Sequence, residues 1–309
     1  MRQHILDLVK AMQFIIAGRS DDAGPILEQV VREHPDDRIA RFVSGIRLLG
    51  MGDIDNATAF FNGAMALEQT LPSYYSEKGL QSERNHDFVY DPRFIAAKEC
   101  QNDEIGSKFG THGAWTLHVV LWAAEHALAL GGDIVQLGVF GGGEAAAIAK
   151  YTQFEQKPQH MYLVDTFTGV PEDLWTQDEI RWGASSAQWM YKSAGDLFLR
   201  VKDRFRNYPN VEVIQGRVPD ILPEVGCDRI GLLLLDMNCA APERAAVEFF
   251  WDSLLPGAVV LADDYGFSSS EPTALQGFYA QKLAFDEFAA SKNVPVLSMP
   301  TGHGMIIKP

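Results

Sequence analysis

The sequence is short of three things, and each shortage removes a class of function. Cysteine occurs only three times in 309 residues, at Cys100, Cys227 and Cys239. None stands at metal-type pair spacing, and an odd count leaves one thiol out of any disulfide, so a reducing cytoplasm is the expected location. Basic residues are also scarce, 26 Lys and Arg against 41 Asp and Glu, which gives a formal charge of −15. That sign repels phosphate backbones and anionic lipid headgroups, so neither nucleic acid nor a membrane is expected as a partner. Lastly, no uncharged apolar run approaches the ~18 residues that cross a bilayer. The stretch Phe14-Ile15-Ile16-Ala17 follows Asp7 and Lys10 and lacks a cleavage-type tail, so it does not read as a signal peptide.

What is present points to two units. Hydrophobic residues make up 47% of the chain, enough for one large core and a small one. The first 71 residues repeat at a spacing of 34, seen in Gly18/Gly52, Asp21/Asp55, Ala23/Ala57, Leu27/Phe61 and Val30/Ala64. Glycine supplies the turn between paired helices, alanine lets them approach, and Pro35 closes the first copy. The segment resembles two tetratricopeptide repeats, 4–37 and 38–71. Two such copies bury little surface, which implies packing on the rest of the chain or on a second subunit, and a homo-oligomer through the repeats is the expectation in the second case. Residues 72–95 lose the helical period. The chain therefore divides into helical repeats over 1–75, a connecting segment over 76–95 and a larger domain over 96–309.

In the larger domain a helical pattern runs from Thr116 to Leu130 and ends at Gly131-Gly132. Short apolar runs then alternate with longer amphipathic stretches, at Ile134–Leu137, Met161–Val164, Val211–Ile214, Ile230–Leu235 and Ala258–Ala262. Continuous Val/Ile/Leu runs of this length are strands buried on both faces, so the pattern predicts a doubly wound α/β fold with a mostly parallel sheet. A last apolar pair, Val294–Met299 and Met305–Ile307, brackets Thr301-Gly302-His303-Gly304 as a closing hairpin.

The first strand leads into Gln136-Leu137-Gly138-Val139-Phe140-Gly141-Gly142-Gly143 and then a helix. Glycines there allow close approach to a ligand, and the helix start offers free N–H groups, although such turns also occur for purely structural reasons. No Gly-Lys-Ser/Thr follows, which disfavours a phosphate-loop NTPase, and Gln136 stands where a dinucleotide fingerprint needs its first glycine. Asp165 ends the next strand, 22 residues past Gly143, where a carboxylate can accept from both hydroxyls of an adenosine ribose. The alternative is a solvated loop aspartate.

The blocks Gly138-Val139-Phe140-Gly141-Gly142, Val164-Asp165-Thr166-Phe167-Thr168-Gly169-Val170-Pro171-Glu172, Leu235-Asp236, Asp263-Asp264-Tyr265-Gly266 and Pro300-Thr301-Gly302-His303-Gly304 occur in that order. Together they resemble the class I methyltransferases of the macrocin O-methyltransferase type over most of residues 110–309. The resemblance implies a seven-stranded sheet and an S-adenosylmethionine site. That site would be formed by Gln136, Gly138, Val139, Phe140, Gly141, Gly142, Gly143, Asp165, Thr166 and Phe167, with adenine near Gln215-Gly216-Arg217. It also implies Mg²⁺-assisted transfer to a hydroxyl of a small-molecule or sugar-containing acceptor. The chain departs from the pattern at Gln136, usually acidic, at Gly141, often basic, and at Asp236-Met237-Asn238, which replaces an Asp-Gly-Asp-like run.

Strand-end carboxylates point to a cation independently. If the strands ending at Asp236 and at Asp263-Asp264 are parallel neighbours, their ends lie about 5 Å apart, at the edge where doubly wound sheets bind ligands. Three gathered carboxylates repel one another unless a hard divalent ion neutralises them. Asp236, Asp263 and Asp264, with Asn238, are thus the expected Mg²⁺ ligands; otherwise Asp264 caps a turn and Asp236 orders its loop. The sulfonium methyl is already electrophilic, so the enzyme must align an acceptor oxygen and remove its proton. Asp236 is the favoured base and His303 the second candidate, although a lone histidine between glycines is more often a surface or structural residue.

Trp175, Trp182, Trp189 and Tyr191 form either a lid over the acceptor or one face of an amphipathic helix. His112, Trp115 and His118 fall where the resemblance places cofactor or substrate contacts, while Tyr265 and Lys282 are explicable as packing and a solvated charge. Two other readings stay open. The Asn238 departure permits a metal-independent or N-methyltransferase, and the repeats could recruit a partner peptide beside a non-catalytic cofactor domain.

Overall fold

The computed structural model describes residues 3–35, 37–68, 75–77, 80–82, 86–101, 113–181, 185–266 and 279–309. They fall into two compact units, Met1–His86 and Asp87–Pro309.

In the first unit four helices follow one another: α1 (Gln3–Ile16), α2 (Ser20–Glu33), α3 (Arg38–Gly50) and α4 (Ile54–Glu68). The 34-residue spacing appears as equivalent geometry. Gly18 and Gly52 carry φ of 73° and 81° in the two inter-helix turns, a region that costs a side-chain residue energy. Ala23 and Ala57 are both fully buried. Asp37 caps α3 by accepting from the Ala40 N–H at 3.0 Å. Leu8, Ala11, Leu27, Val30 and Val43 form the unit's core. A short antiparallel pair follows, β1 (Tyr75–Glu77) with β2 (Leu80–Ser82).

The segment expected to be plain connection thus holds regular structure at both ends. The second unit begins inside it and includes α5 (Pro92–Glu99). Asp91 accepts from the Arg93 N–H at 2.8 Å, and Pro92 occupies the first helical position. This Asp-Pro start is a readable signal that outweighs the weak periodicity around it.

Helix α6 (Ala114–Ala129) precedes a seven-stranded sheet made of β3 (Asp133–Leu137), β4 (Met161–Asp165), β5 (Val211–Gln215), β6 (Ile230–Leu235), β7 (Leu254–Ala262), β8 (Leu297–Ser298) and β9 (Gly304–Ile307). Their order is β5-β4-β3-β6-β7-β9-β8, and β9 runs antiparallel to both of its neighbours. Strands at the five apolar runs are parallel, and β6 is buried at every position. The chain winds outward from β3 through β4 to β5 and then returns to β6 on the other side of β3. That reversal opens a crevice between the carboxyl ends of β3 and β6, where doubly wound sheets hold ligands. Beneath it Leu137, Leu235 and Val260 pack with Phe250 and Phe288 in the main core. Among the described residues no helix is long and apolar enough to cross a membrane.

Candidate functional site

The turn after β3 is held open by backbone that few residues tolerate. Gly138 has φ 87°, Phe140 47° and Gly142 72°. A Cβ on Gly138 would come within 1.8 Å of the Asp236 carbonyl, so glycine is needed where β3 passes β6. Helix α7 (Gly143–Thr152) starts directly afterwards. Val139 and Phe140 donate their N–H groups to Asp165 Oδ2 at 2.7 and 2.8 Å, and Phe167 donates to Oδ1 at 2.7 Å. Asp165 therefore shapes the turn as well as facing the crevice. Two hydroxyls also reach it, that of Tyr191 at 2.9 Å from Oδ2 and that of Thr166 at 3.4 Å from Oδ1. Tyr191 lies on α9 (Ser185–Ala194), after α8 (Gln177–Arg181), so the aromatic segment sends one ring into the place where a ribose was expected.

The structure brings Gly138, Asp165, Thr166, Tyr191, Gly216 and Met237 onto one cleft. Gly216 sits there because its N–H donates to the Asp165 carbonyl at 2.9 Å, tying the end of β5 to that of β4. Arg217 lines the adjoining cleft with Thr166 and Gln188 and pairs with Asp173 at 2.6 Å. Phe167 points inward, buried, with its ring 5.5 Å from that of Phe198. Gly141 is clamped by Arg204, at the end of α10 (Leu197–Arg204), whose guanidinium donates to the carbonyls of Gly141 and Cys100 at 2.6 and 2.7 Å. A Cβ on Gly142 would meet Phe205 at 3.3 Å, and one on Gly143 would sit 3.8 Å from Gln101. Gln136 is buried and donates Nε2 to the Gly138 carbonyl at 3.1 Å and to Glu144 Oε1 at 3.2 Å.

Across the crevice the acidic residues converge. β6 and β7 are parallel neighbours with Leu235 opposite Ala262, so Asp236 and Asp263-Asp264 leave the sheet side by side. One carboxylate oxygen from each of Asp236, Asp263 and Asp264 lies within 4.8 Å of the others. Burial, then the charges of Asp263 and Asp264, hold the Asp236 carboxyl well above the usual carboxylate range. Asp264 is raised in the same way by burial and then by Asp263. Behind them Glu243, on α11 (Ala240–Phe250), is pushed up to about 7, chiefly by burial. Glu243 Oε1 accepts from the Met237 N–H at 3.1 Å and from Gln281 Nε2 at 2.7 Å. Hard oxygen donors whose charges disfavour one another are the donor set a divalent cation suits.

Two expected site residues take different parts. Asn238, at φ 54°, turns its amide nitrogen to Asp236 Oδ1 at 3.1 Å. It therefore braces a carboxylate by donation, where a metal ligand would have to present its oxygen. His303 is 1% exposed, with Nε2 3.1 Å from Asp263 Oδ1, close enough for an ion pair but off the line of a hydrogen bond. Its Nδ1 lies 2.8 Å from the Thr301 hydroxyl. The hairpin thus delivers His303, enclosed, to the back of Asp263.

Sequence reasoning missed several supports. Glu179 caps α11 from another helix, its Oε1 accepting from the Ala240 N–H at 2.8 Å. It and Glu243, Arg204 and Glu144 carry no motif, because their roles arise only when distant elements meet. Trp115 and His118 are occupied in aromatic packing with Phe88, the His118 ring stacked at 3.9 Å. Tyr265 donates to Asp286 at 2.7 Å, and Lys282 pairs with the same carboxylate. His112, Trp182 and the Trp189 side chain lie outside the described residues.

Residues 116–289 match the family model for macrocin-O-methyltransferase (TylF). Among solved structures, the O-methyltransferase NovP aligns with a TM-score of 0.50 and 20% identity over 63% of this chain and 80% of its own. CalS11, a calicheamicin methyltransferase, aligns at 0.48 and 17% identity over 75% of this chain and 99% of its own. A search of curated proteins gave no match. With more than half of its length inside the family model, over the glycine turn, Asp165 and the acidic strand ends, the chain belongs to the macrocin-O-methyltransferase family and is an S-adenosylmethionine-dependent methyltransferase.

Proposed function

We propose that the protein methylates a hydroxyl of a sugar or small-molecule metabolite, with Mg²⁺ held by Asp236, Asp263 and Asp264. The observation that carries this reading is the convergence of those three carboxylates at the crevice beside the glycine turn. The donor's adenosine lies along the cleft from Asp165 to Gly216, and its methionine end lies toward Gly138. When bound, the cation supplies a positive charge that lowers the acceptor hydroxyl's pKa and fixes the oxygen's position.

The chain's own residues do the rest. The glycine turn and Asp165 align the donor so that the acceptor oxygen stands behind the methyl carbon. As the O–CH₃ bond forms and the S–CH₃ bond breaks, Asp236 takes the hydroxyl proton on the oxygen that Asn238 does not hold. The first unit's paired helices serve as tetratricopeptide-like repeats that join two copies of the chain.

Calorimetric titration with S-adenosylhomocysteine gives saturable binding. Methyl transfer to a panel of sugar and small-molecule hydroxyls falls to background after exhaustive chelation and returns with Mg²⁺. Full activity without metal excludes the cation, and no binding at millimolar ligand excludes the whole reading.

Tyr191 gives a second test. Its hydroxyl holds an Asp165 oxygen that a ribose hydroxyl needs. A hydrogen bond to a carboxylate contributes about 1.5–3 kcal/mol, so Tyr191→Phe tightens S-adenosylhomocysteine binding by roughly tenfold to a hundredfold. Weaker binding of the variant would mean that the hydroxyl instead contacts the ligand.

A further inference from the structure

Helix α11 starts on a residue that does not cap it. Cys239 holds the N-cap position in extended backbone, φ −157° and ψ 128°, and among the described residues its side chain makes no capping hydrogen bond. Serine, threonine, aspartate and asparagine usually serve there, because their side-chain oxygen accepts a first-turn N–H. The cap comes instead from 61 positions earlier in the chain, where Glu179 Oε1 accepts from the Ala240 N–H at 2.8 Å. Glu179 is 1% exposed, and its other oxygen is committed as well. Oε2 accepts from the Thr176 N–H at 2.7 Å while the Thr176 hydroxyl accepts from the Glu179 N–H at 3.2 Å, a reciprocal cap at the start of α8. A buried carboxylate with two backbone donors, one of them at the positive end of a helix, is strongly held. The Cys239 thiol adds a second tie between the same two segments, donating to the Leu174 carbonyl at 3.5 Å.

Only residues 236–239 join β6 to α11, and Asp236 is the first of them. The sheet fixes one end of this loop, since the Asp236 N–H donates to the Leu137 carbonyl at 2.9 Å. In between, Asn238 takes left-handed backbone at φ 54°, a conformation that costs a side-chain residue energy and persists only where its surroundings hold it. The other end is the start of α11, which Glu179 holds. A displacement of that start passes through Cys239 to Asn238, whose amide is bonded to the Asp236 carboxylate.

We propose that Glu179 is a positioning residue for methyl transfer: by capping α11 from a distant segment, it sets where Asp236 presents its carboxylate. This rests on the reading of Asp236 as base and cation ligand given above. A cap at position 239 would fix the helix start from its own chain segment. A cap from position 179 ties that start to the segment that carries Leu174 and Tyr191, which line the same cleft as Met237 and Pro242. The wall that meets the ligand and the loop that moves the proton are thereby held in one register.

The test compares Glu179→Ala and Glu179→Gln with the natural protein, all as the whole chain. Glu179→Ala lowers turnover by about tenfold to a hundredfold, the scale of a misplacement near 1 Å, while S-adenosylhomocysteine affinity measured by calorimetry stays within about threefold. Hydrogen exchange over residues 236–243 becomes at least about tenfold faster, and exchange in β4 and β5 does not change. Glu179→Gln keeps the volume and an acceptor for the Ala240 N–H but gives up the charge. It shows the same split at roughly threefold to tenfold, and it decides the matter if Glu179→Ala does not fold. The proposal is overturned if exchange over 236–243 is unchanged, or if turnover stays within twofold of the natural protein in both variants. It also fails if donor affinity falls in step with turnover, since Glu179 then only supports the cofactor cleft. Intact turnover in Asp236→Asn counts against the reading of Asp236 instead, and the exchange series still reports whether Glu179 holds the loop.

Discussion

Asp236→Asn lowers turnover roughly a thousandfold or more at saturating donor, by the scale of general-base removal, while affinity for S-adenosylhomocysteine changes by less than about threefold. The two expectations separate because different atoms of one residue serve them. The backbone carbonyl of Asp236 packs against Gly138 and so belongs to the wall of the cofactor cleft. The side chain faces the other way, toward Asp263 and Asp264. Asparagine keeps the volume, the loop and an oxygen that can accept from Asn238. It removes the negative charge that a cation needs and the basic oxygen that takes the acceptor's proton. Steady-state turnover and calorimetric affinity measured on the same preparation check both halves. Turnover within tenfold of the natural protein would refute the assignment, and a parallel collapse of cofactor affinity would show only a damaged crevice.

Asp236, Asp263 and Asp264 were legible because an apolar run that ends in a carboxylate locates that carboxylate at the carboxyl edge of a parallel sheet before any coordinate is known. The same logic located Gly138 and Asp165. What the sequence left hidden is the set of partners those groups have. Asp165 looked like a ribose acceptor, yet its oxygens also bind the N–H groups of Val139 and Phe140 and the hydroxyl of Tyr191. Nothing in the local pattern announces a contact between residues 26 apart that closes through a crossover. The burial of His303 was hidden for a related reason. Flanking glycines suggested an exposed turn, but the hairpin folds over the end of β7, where the Gly266 N–H donates to the Gly302 carbonyl, and buries the ring. Helix α5 is the opposite case, since Asp91-Pro92 signalled a helix start that weak periodicity concealed.

The metal-free protein loses stability as the pH rises. Glu243 has an ordinary value near 4.5 and is pushed up to about 7 in the fold, chiefly by burial. Between those values the folded chain keeps a proton that the unfolded chain has released, so folding weakens with each step upward and is weakest above pH 7. The interval corresponds to roughly 3 kcal/mol. Asp236 and Asp264 are raised in the same direction and add to the slope. Glu243→Gln isolates the effect, because the amide oxygen can still accept from the Met237 N–H and from Gln281 while the buried charge disappears. In chelator, the variant should be more stable than the natural protein at pH 8 by about 2 kcal/mol, which raises its melting temperature by several degrees, and indistinguishable from it at pH 4.5. All six tryptophans lie between positions 115 and 251, so intrinsic fluorescence follows the second unit alone. Excess Mg²⁺ at pH 8 should restore the natural protein more than the variant if the shared negative charge is what the cation relieves. A melting temperature that rises with pH in chelator, or a variant less stable at pH 8, would show that the buried carboxylates are already balanced by the protein itself, and the case for a cation at this crevice would lose its electrostatic basis.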